Sequence, residues 1–482
     1  MKMLRLVALY LVAIIAPVTA MEWSELPLPT GPDSGTPSLT RAQDGNFYVS
    51  WTTSTEVEQY ALWISRFDRE TQSWHAPVQI AQGDNWFLNW ADNATVSTGL
   101  RGRVAAVWYV HSDDSGYHAV VSTSTDHGST WAPPQPISAE SDRTEFVALA
   151  PLLNSSWLAV WLDARDHANS GSMQLRSRVL GGDEADVLID ERVCDCCPIS
   201  TLVLPNGVVL TAYRDRSDSE VRDIAYQSYN RGTWTAATAP IQDGWKIEGC
   251  PVNGASLSRR SGHVATAWFT GANDTPQVLT ARSNNLARSW NLVTRIDDPT
   301  QSARGSVNST VLRDGSQWVS WVENAGTVTL RGLNRDGSLG EIHRMPGTAE
   351  GKPSMVMLSD NSNEATQLLI ARQEGDGVKT YIGRLAADTN ATLDDCGCDA
   401  GEAATRGHAV RGEIVNVLKD RDALLVAHEE VPGVMMAMTM SFQVDPQVLA
   451  LVKPNQTILA RMERRDDGKW WLFSIRILEP VN

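Results

Sequence analysis

The sequence predicts an all-β chain, a seven-bladed β-propeller followed by a small OB-like barrel of five strands. Three observations predict it. A short strand of small and apolar residues recurs seven times, as Phe47–Trp51, Val104–Trp108, Leu158–Trp161, Leu210–Tyr213, Ala265–Trp268, Trp318–Trp321 and Leu368–Ala371. Their last residues lie 57, 53, 52, 55, 53 and 50 apart. A fixed period near fifty with several strands per unit is the mark of blades around an axis. The third observation is the tail, where five short strands follow one another from 409 to 478.

Taken in order, the chain opens with Met1-Lys-Met-Leu-Arg5, an apolar run from Leu6 to Pro17, and Val18-Thr-Ala20. A basic, an apolar and a small-residue segment in that order read as a secretory signal peptide cleaved near Ala20. The run is too short for a membrane span, and no later stretch is long enough for one. The sequence thus predicts an exported, periplasmic or secreted protein. Losing Lys2 and Arg5 takes the formal charge from −16 to −18, which is unsuited to gripping nucleic acid.

Residues 21–390 are the propeller. Each central strand is followed by a second, as at Tyr60–Arg66 or His118–Ser124, and most have a third before them, as at Ser200–Leu204. Outer strands are visible at Ala76–Ile80, Pro134–Ile137 and Leu292–Ile296, but the seventh unit has none. Trp23-Ser-Glu-Leu-Pro-Leu-Pro29 supplies it, which would remove an open sheet edge. The count is therefore seven blades, with six as the alternative.

One turn is marked more sharply. In Ser124-Thr-Asp-His-Gly-Ser-Thr-Trp131 the Asp can bond turn amides, the Gly permits positive φ and the Trp packs beneath. Ser283–Trp290 and Ser228–Trp234 read as worn copies. These turns resemble the Asp-box (BNR) hairpin of the sialidase-like propellers, over about residues 21–390. The Asp-box implies fold and says little about chemistry. Sialidases of that superfamily usually have six blades.

Connections between blades gather at the mouth of a propeller, where sites form. Two of them hold cysteines: Cys194-Asp-Cys196-Cys197-Pro198 and Gly249-Cys250-Pro251. The four sulfurs are expected to cluster, as disulfides or as a soft-metal thiolate site. Trp86, Trp90 and Asp92 belong to the same rim. The resemblance to sialidases implies an arginine clamp for a carboxylate, a Tyr nucleophile with its base, and an acid/base carboxylate. Arg165, Tyr213, Arg214, Asp215, Arg222 and Arg304 are the candidate catalytic residues. Arg–Asp pairing between blades is the plainer reading of the same residues.

Residues 391–406 form an acidic linker that carries Cys396-Gly-Cys398, a strained disulfide or a two-sulfur metal hand-off point. From 407 to 482 the strands are Ala409–Leu418, Leu424–His428, Met436–Val444, Thr457–Arg464 and Trp470–Leu478. His428 ends the second and Met438 lies on the third, so antiparallel pairing brings them within side-chain reach. Met438 and Met440, two apart, share a face. Imidazole and thioether donors suit Cu(I) and similar soft ions and not Mg or Ca. A Met-rich strand can also be simple packing.

His428 and Met435-Met-Ala-Met-Thr-Met440 resemble the small periplasmic copper/silver chaperones of the CusF type, over about residues 405–482. The resemblance implies Cu(I), or Ag(I), held by His428, Met438 and Met440, and a copper efflux or delivery protein as partner. The family's capping Trp is replaced here by Met435, with one residue less between it and the His, so a sulfur can stand in for the ring. Two functions follow as expectations. One is copper handling, with the propeller as a docking platform. The other is a sialidase-like glycosidase with an accessory metal domain.

Overall fold

Each blade is built outward from its second strand, which has a neighbouring sheet on both faces. That double burial explains the near-continuous apolar runs: Val104–His111, Trp157–Asp163 and Gln317–Glu323 are buried along almost their whole length. The recurring end residues Trp51, Trp161, Trp268 and Trp321 are among the largest fully buried side chains. In the computed structural model, residues 21–385 and 408–478 are described, apart from 43, 56–58, 113–115, 183–184, 261, 292, 360–365, 430, 432–433, 445–447, 450–451 and 465–467. The segment read as a signal peptide and the linker with Cys396 and Cys398 lie outside the described residues.

The chain divides into two compact units, 1–387 and 388–482. The first contains seven antiparallel sheets, not six. Their innermost strands are Ser34–Arg41, Thr95–Thr98, Thr144–Pro151, Ser200–Val203, Ala255–Arg260, Ala303–Val311 and Glu350–Ser359, defining blades 1 to 7. Residues from all seven line one central cavity of about 750 Å³. Apolar clusters fill every gap between neighbours, including Leu39, Trp51 and Trp74 of blade 1 against Leu369, Ala371 and Ile382 of blade 7. Ring closure therefore rests on the same burial as every other interface.

The N-terminal strand completes blade 7. Glu22–Leu26 pairs antiparallel with Gly377–Leu385, from Glu22 opposite Arg384 to Leu26 opposite Thr380. Trp74 of blade 1 also donates from Nε1 to Thr380 Oγ1 at 2.9 Å.

The turn at 124–131 shows why its residues recur. Asp126 accepts from Thr130 N at 2.9 Å and from the Thr130 hydroxyl at 2.7 Å, and Gly128 N donates to Ser124 Oγ at 3.0 Å. The Thr130 hydroxyl, then the Thr130 N–H and the Ser124 hydroxyl, hold the Asp126 carboxyl down at about 2. The copy at 283–290 repeats the network with Asn285 in the Asp position.

The second unit is a closed barrel of His408–Leu418, Ala423–His428, Met438–Gln443, Thr457–Arg464 and Trp470–Leu478. The first strand pairs with the second and the fourth, and the third runs parallel to the fifth, which closes the sheet. Leu424, Val426, Phe442, Ile414 and Met462 form its core. His408 is exposed.

Candidate metal centre and the propeller rim

In the barrel, register places the soft donors. His428 sits opposite Met438, Val426 opposite Met440 and Leu424 opposite Phe442. Leu424, Val426 and Phe442 are fully buried, so His428, Met438 and Met440 lie on the same face as the core, by strand alternation. His428 itself is only 4% exposed. Its Nδ1 lies 2.7 Å from the carbonyl of Glu429. A carbonyl only accepts, so Nδ1 carries a proton, and in the neutral tautomer that this bond selects Nε2 is the nitrogen with the lone pair. That Nε2 is buried and has no hydrogen-bond partner among the described residues. An unpaired buried acceptor is costly unless something else satisfies it, and a soft cation would do so.

The methionines divide by exposure. Met440 and Met435 are half-buried against the barrel core. Met438 is 52% exposed and Met436 77%. Packing accounts for the first pair and not for the second. Met435 closes a tight turn, its N–H donating to Val431 O at 3.1 Å. On the other side of His428, Gly412 is its register partner. A Cβ there would sit 2.6 Å from Ala427 O and 2.8 Å from His428 Cα, so glycine is what lets the first strand approach the His backbone.

At the propeller rim the cysteines do converge. Cys196 and Cys250 form a disulfide with Cα atoms 5.9 Å apart, which takes both out of the set of free thiolates. Cys194 and Cys197 are buried thiols with sulfurs 2.7 Å apart. The sulfurs of Cys194, Cys196 and Cys197 all lie within 4.8 Å of one another.

The candidate catalytic residues are mostly engaged within the protein. Arg165 is held by Asp163 at 2.8 Å, Asp186 at 2.6 Å and Glu140 at 3.2 Å. Arg214 is buried, donates to the carbonyls of Asn253, Arg222 and Phe269, and stacks over Trp245. Tyr213, 1% exposed, donates to Asp190 at 2.7 Å, and burial raises its phenol above the usual range. Asp215 is half-buried with its carboxyl raised by burial, and Arg304 is exposed. Arg222 meets Arg214 but also binds Glu220. Arg165 and Arg222 are thus paired, but with carboxylates of their own blade or the connection leading into it rather than between blades, and Arg222 with a Glu.

A different polar group occupies the rim, and of it the sequence singled out only Asp92. Asp92 is buried, accepts from Phe146 N at 2.8 Å and has its carboxyl pushed up to about 7 by desolvation. Tyr117 donates to Glu145 at 2.8 Å, and burial raises Glu145 to about 7 as well. Lys352, from the innermost strand of blade 7, reaches the carbonyl of Ala91 and lies over Trp90, which is 60% exposed. Desolvation lowers its ammonium to about 8 against the pull of Asp92 and Cys197. The available signal was a charge inside an otherwise small or apolar inner strand: Glu145 in Thr144–Pro151 and Lys352 in Glu350–Ser359.

Residues 407–477 match the family described as "Copper binding periplasmic protein CusF". No curated protein matches the chain. Among solved structures, the BP39L lectin from Burkholderia pseudomallei is similar at 14% identity, covering 76% of this chain and 96% of its own, with a TM-score of 0.48. The Penicillium chrysogenum α-L-arabinanase follows at 14%, 76% and 97%, with 0.44. An intramolecular trans-sialidase from Ruminococcus gnavus gives 9%, 64% and 96%, with 0.40. None of these values is high enough to carry an activity or a ligand to this chain. Among the described residues, no helix is long and apolar enough to cross a membrane.

Proposed function

We propose that this chain is an exported copper-handling protein whose barrel binds Cu(I), or Ag(I), through His428 Nε2 and the thioethers of Met438 and Met440. Met435 is the fourth donor, in the place of a capping ring. The observation that carries the reading is the buried, unpaired Nε2 of His428, whose tautomer is set by Glu429. The match of residues 407–477 to the copper-binding family supports it independently. Thioether donors leave a monovalent soft ion its charge and need no deprotonation to bind it. The propeller is then the platform that docks a copper efflux or delivery protein.

The test is competition for Cu(I) against a chelator of known affinity, with the full chain and its Met438→Ala/Met440→Ala variant. Loss of two donors is expected to weaken binding beyond the roughly 10–100-fold that loss of a supporting contact costs. Equal affinity of the two proteins would refute the assignment.

A glycosidase reading draws on one observation, the Tyr117–Glu145 bond beside buried Asp92. Against it, Arg165 and Arg214 are already engaged by groups of the protein and offer no free clamp for a substrate carboxylate. Turnover of a fluorogenic sialoside, abolished by Glu145→Gln, would favour this reading over the first.

A further inference from the structure

The turn Cys194-Asp-Cys-Cys197 is folded so that its outer sulfurs meet. Asp195 accepts from Met173 N at 2.7 Å and pairs with Arg216 at 2.9 Å, while Cys194 N donates to Arg214 O at 3.0 Å. These bonds pin the turn to blades 3 and 4. Cys196 joins Cys250, and the sulfurs of Cys194 and Cys197 lie 2.7 Å apart, closer than non-bonded sulfurs rest. Both residues are 1% exposed. Gly254 packs against the Pro198 carbonyl without room for a Cβ, fixing the far side of the turn.

The surrounding charge is unusual. Arg214 donates all its bonds to carbonyls. Arg222, 3% exposed, binds Glu220, but that one carboxylate also serves Arg192 and Arg216. Arg222 Nε has no hydrogen-bond partner among the described residues. Arg192 and Arg216 have further carboxylates in Asp218 and Asp195, but Arg214 is met by carbonyls and Arg222 shares its carboxylate, and two such buried guanidiniums favour a further anion beside them. Cys194 can become one: a bond from Cys197, then one from the Cys196 N–H and the charges of Arg222 and Arg214, bring its thiol down to about 6 against the effect of burial. Burial pushes Cys197 the other way. The two shifts run in opposite directions, so Cys194 is the sulfur favoured to carry a charge and Cys197 the one favoured to keep its proton.

We propose that Cys194 and Cys197 are a redox-active pair, in which the Cys194 thiolate attacks a small hydroperoxide and Cys197 resolves the product. Near-complete burial selects a small oxidant over a bulky disulfide. A cleft of about 440 Å³ lined by Asp195, Arg216, Glu220, Arg222, Glu248 and Cys250 lies beside the turn, and Arg222 is the group that faces both it and Cys194. In the first step the Cys194 sulfur bonds to the nearer peroxide oxygen, the O–O bond breaks, and hydroxide leaves beside Arg222, where a guanidinium stabilises the developing charge. Sulfur is oxidised to sulfenic acid and the peroxide is reduced. In the second step Cys197 sulfur attacks Cys194 sulfur, its proton joins the departing hydroxyl, and water and a Cys194–Cys197 disulfide result. Cys196–Cys250 takes no part and holds the two connections together.

The experiment exposes the full chain to hydrogen peroxide and maps the cysteines by peptide mass spectrometry after alkylation. A Cys194–Cys197 disulfide is expected to form roughly tenfold or more faster than an unperturbed cysteine oxidises. Cys197→Ser should leave a Cys194 sulfenic acid that dimedone traps. Arg222→Gln should slow the reaction and raise the pH midpoint of Cys194 alkylation, and Arg222→Lys should restore most of both. Three results would each overturn the proposal: reaction no faster than free cysteine, no trapped sulfenic acid at Cys194, or a Cys194–Cys197 disulfide that no reductant opens in the native state.

Discussion

At the scale of single residues, the proposed copper site depends on groups that supply no donor. Gly412 is the clearest, because its missing side chain is the space that the His428 backbone occupies. Gly412→Ala is expected to cost about 1–3 kcal/mol, as overpacking against backbone does. Cu(I) affinity should fall roughly tenfold with it, as loss of a positioning contact does. Chemical denaturation and Cu(I) competition on the same variant check both. Asp92 makes a second residue-scale prediction. Its carboxyl is raised from 3.8 to about 7 by burial, so the folded state holds a proton that the unfolded chain releases. That contribution is fully present below the unfolded value and is lost as pH rises through about 7. Propeller stability should therefore fall between about pH 4 and pH 8. Asp92→Asn, which still accepts from Phe146 N, should flatten that fall, and a slope unchanged in the variant would contradict the assignment. Glu145, raised to about 7, adds a slope of the same sign.

At the scale of elements, the two cysteine-bearing connections are held together by a single crosslink. Cys196–Cys250 spans 54 residues, and closing a loop of that length removes about 4 kcal/mol of unfolded-state entropy. Cys250→Ser should lower propeller stability by a large part of that amount in denaturant titration, with the barrel unaffected. Elements were also where the sequence was most legible. Alternation and period placed the central strands, the blade count and the N-terminal strand, because each states which face is buried. The outer strands were legible in place but not in length: the strands read at Pro134–Ile137 and Leu292–Ile296 pair only over Gln135–Pro136 and Thr294–Arg295. The barrel site was legible because His428 and Met438 are neighbours through one hairpin. The rim group of Asp92, Tyr117, Glu145 and Lys352 was not, because it joins the connection into blade 2 with blades 2, 3 and 7 and only ring closure brings those together.

At the scale of the whole molecule, a propeller and a soft-donor barrel form two compact units in one chain. The rim of the first carries buried sulfurs and titratable groups, and the second carries an imidazole whose Nε2 has no partner among the described residues, on a face shared with thioethers. Copper chemistry is assigned to the second unit alone, so metal binding should survive Cys194→Ser and Cys197→Ser and should not survive loss of the barrel donors. The most direct measurement is X-ray absorption of the full chain loaded with Cu(I), compared with its His428→Ala variant. Sulfur scattering together with an imidazole nitrogen shell that the variant loses is the predicted result. A spectrum of sulfur alone in the wild type, or one that His428→Ala leaves unchanged, would contradict it.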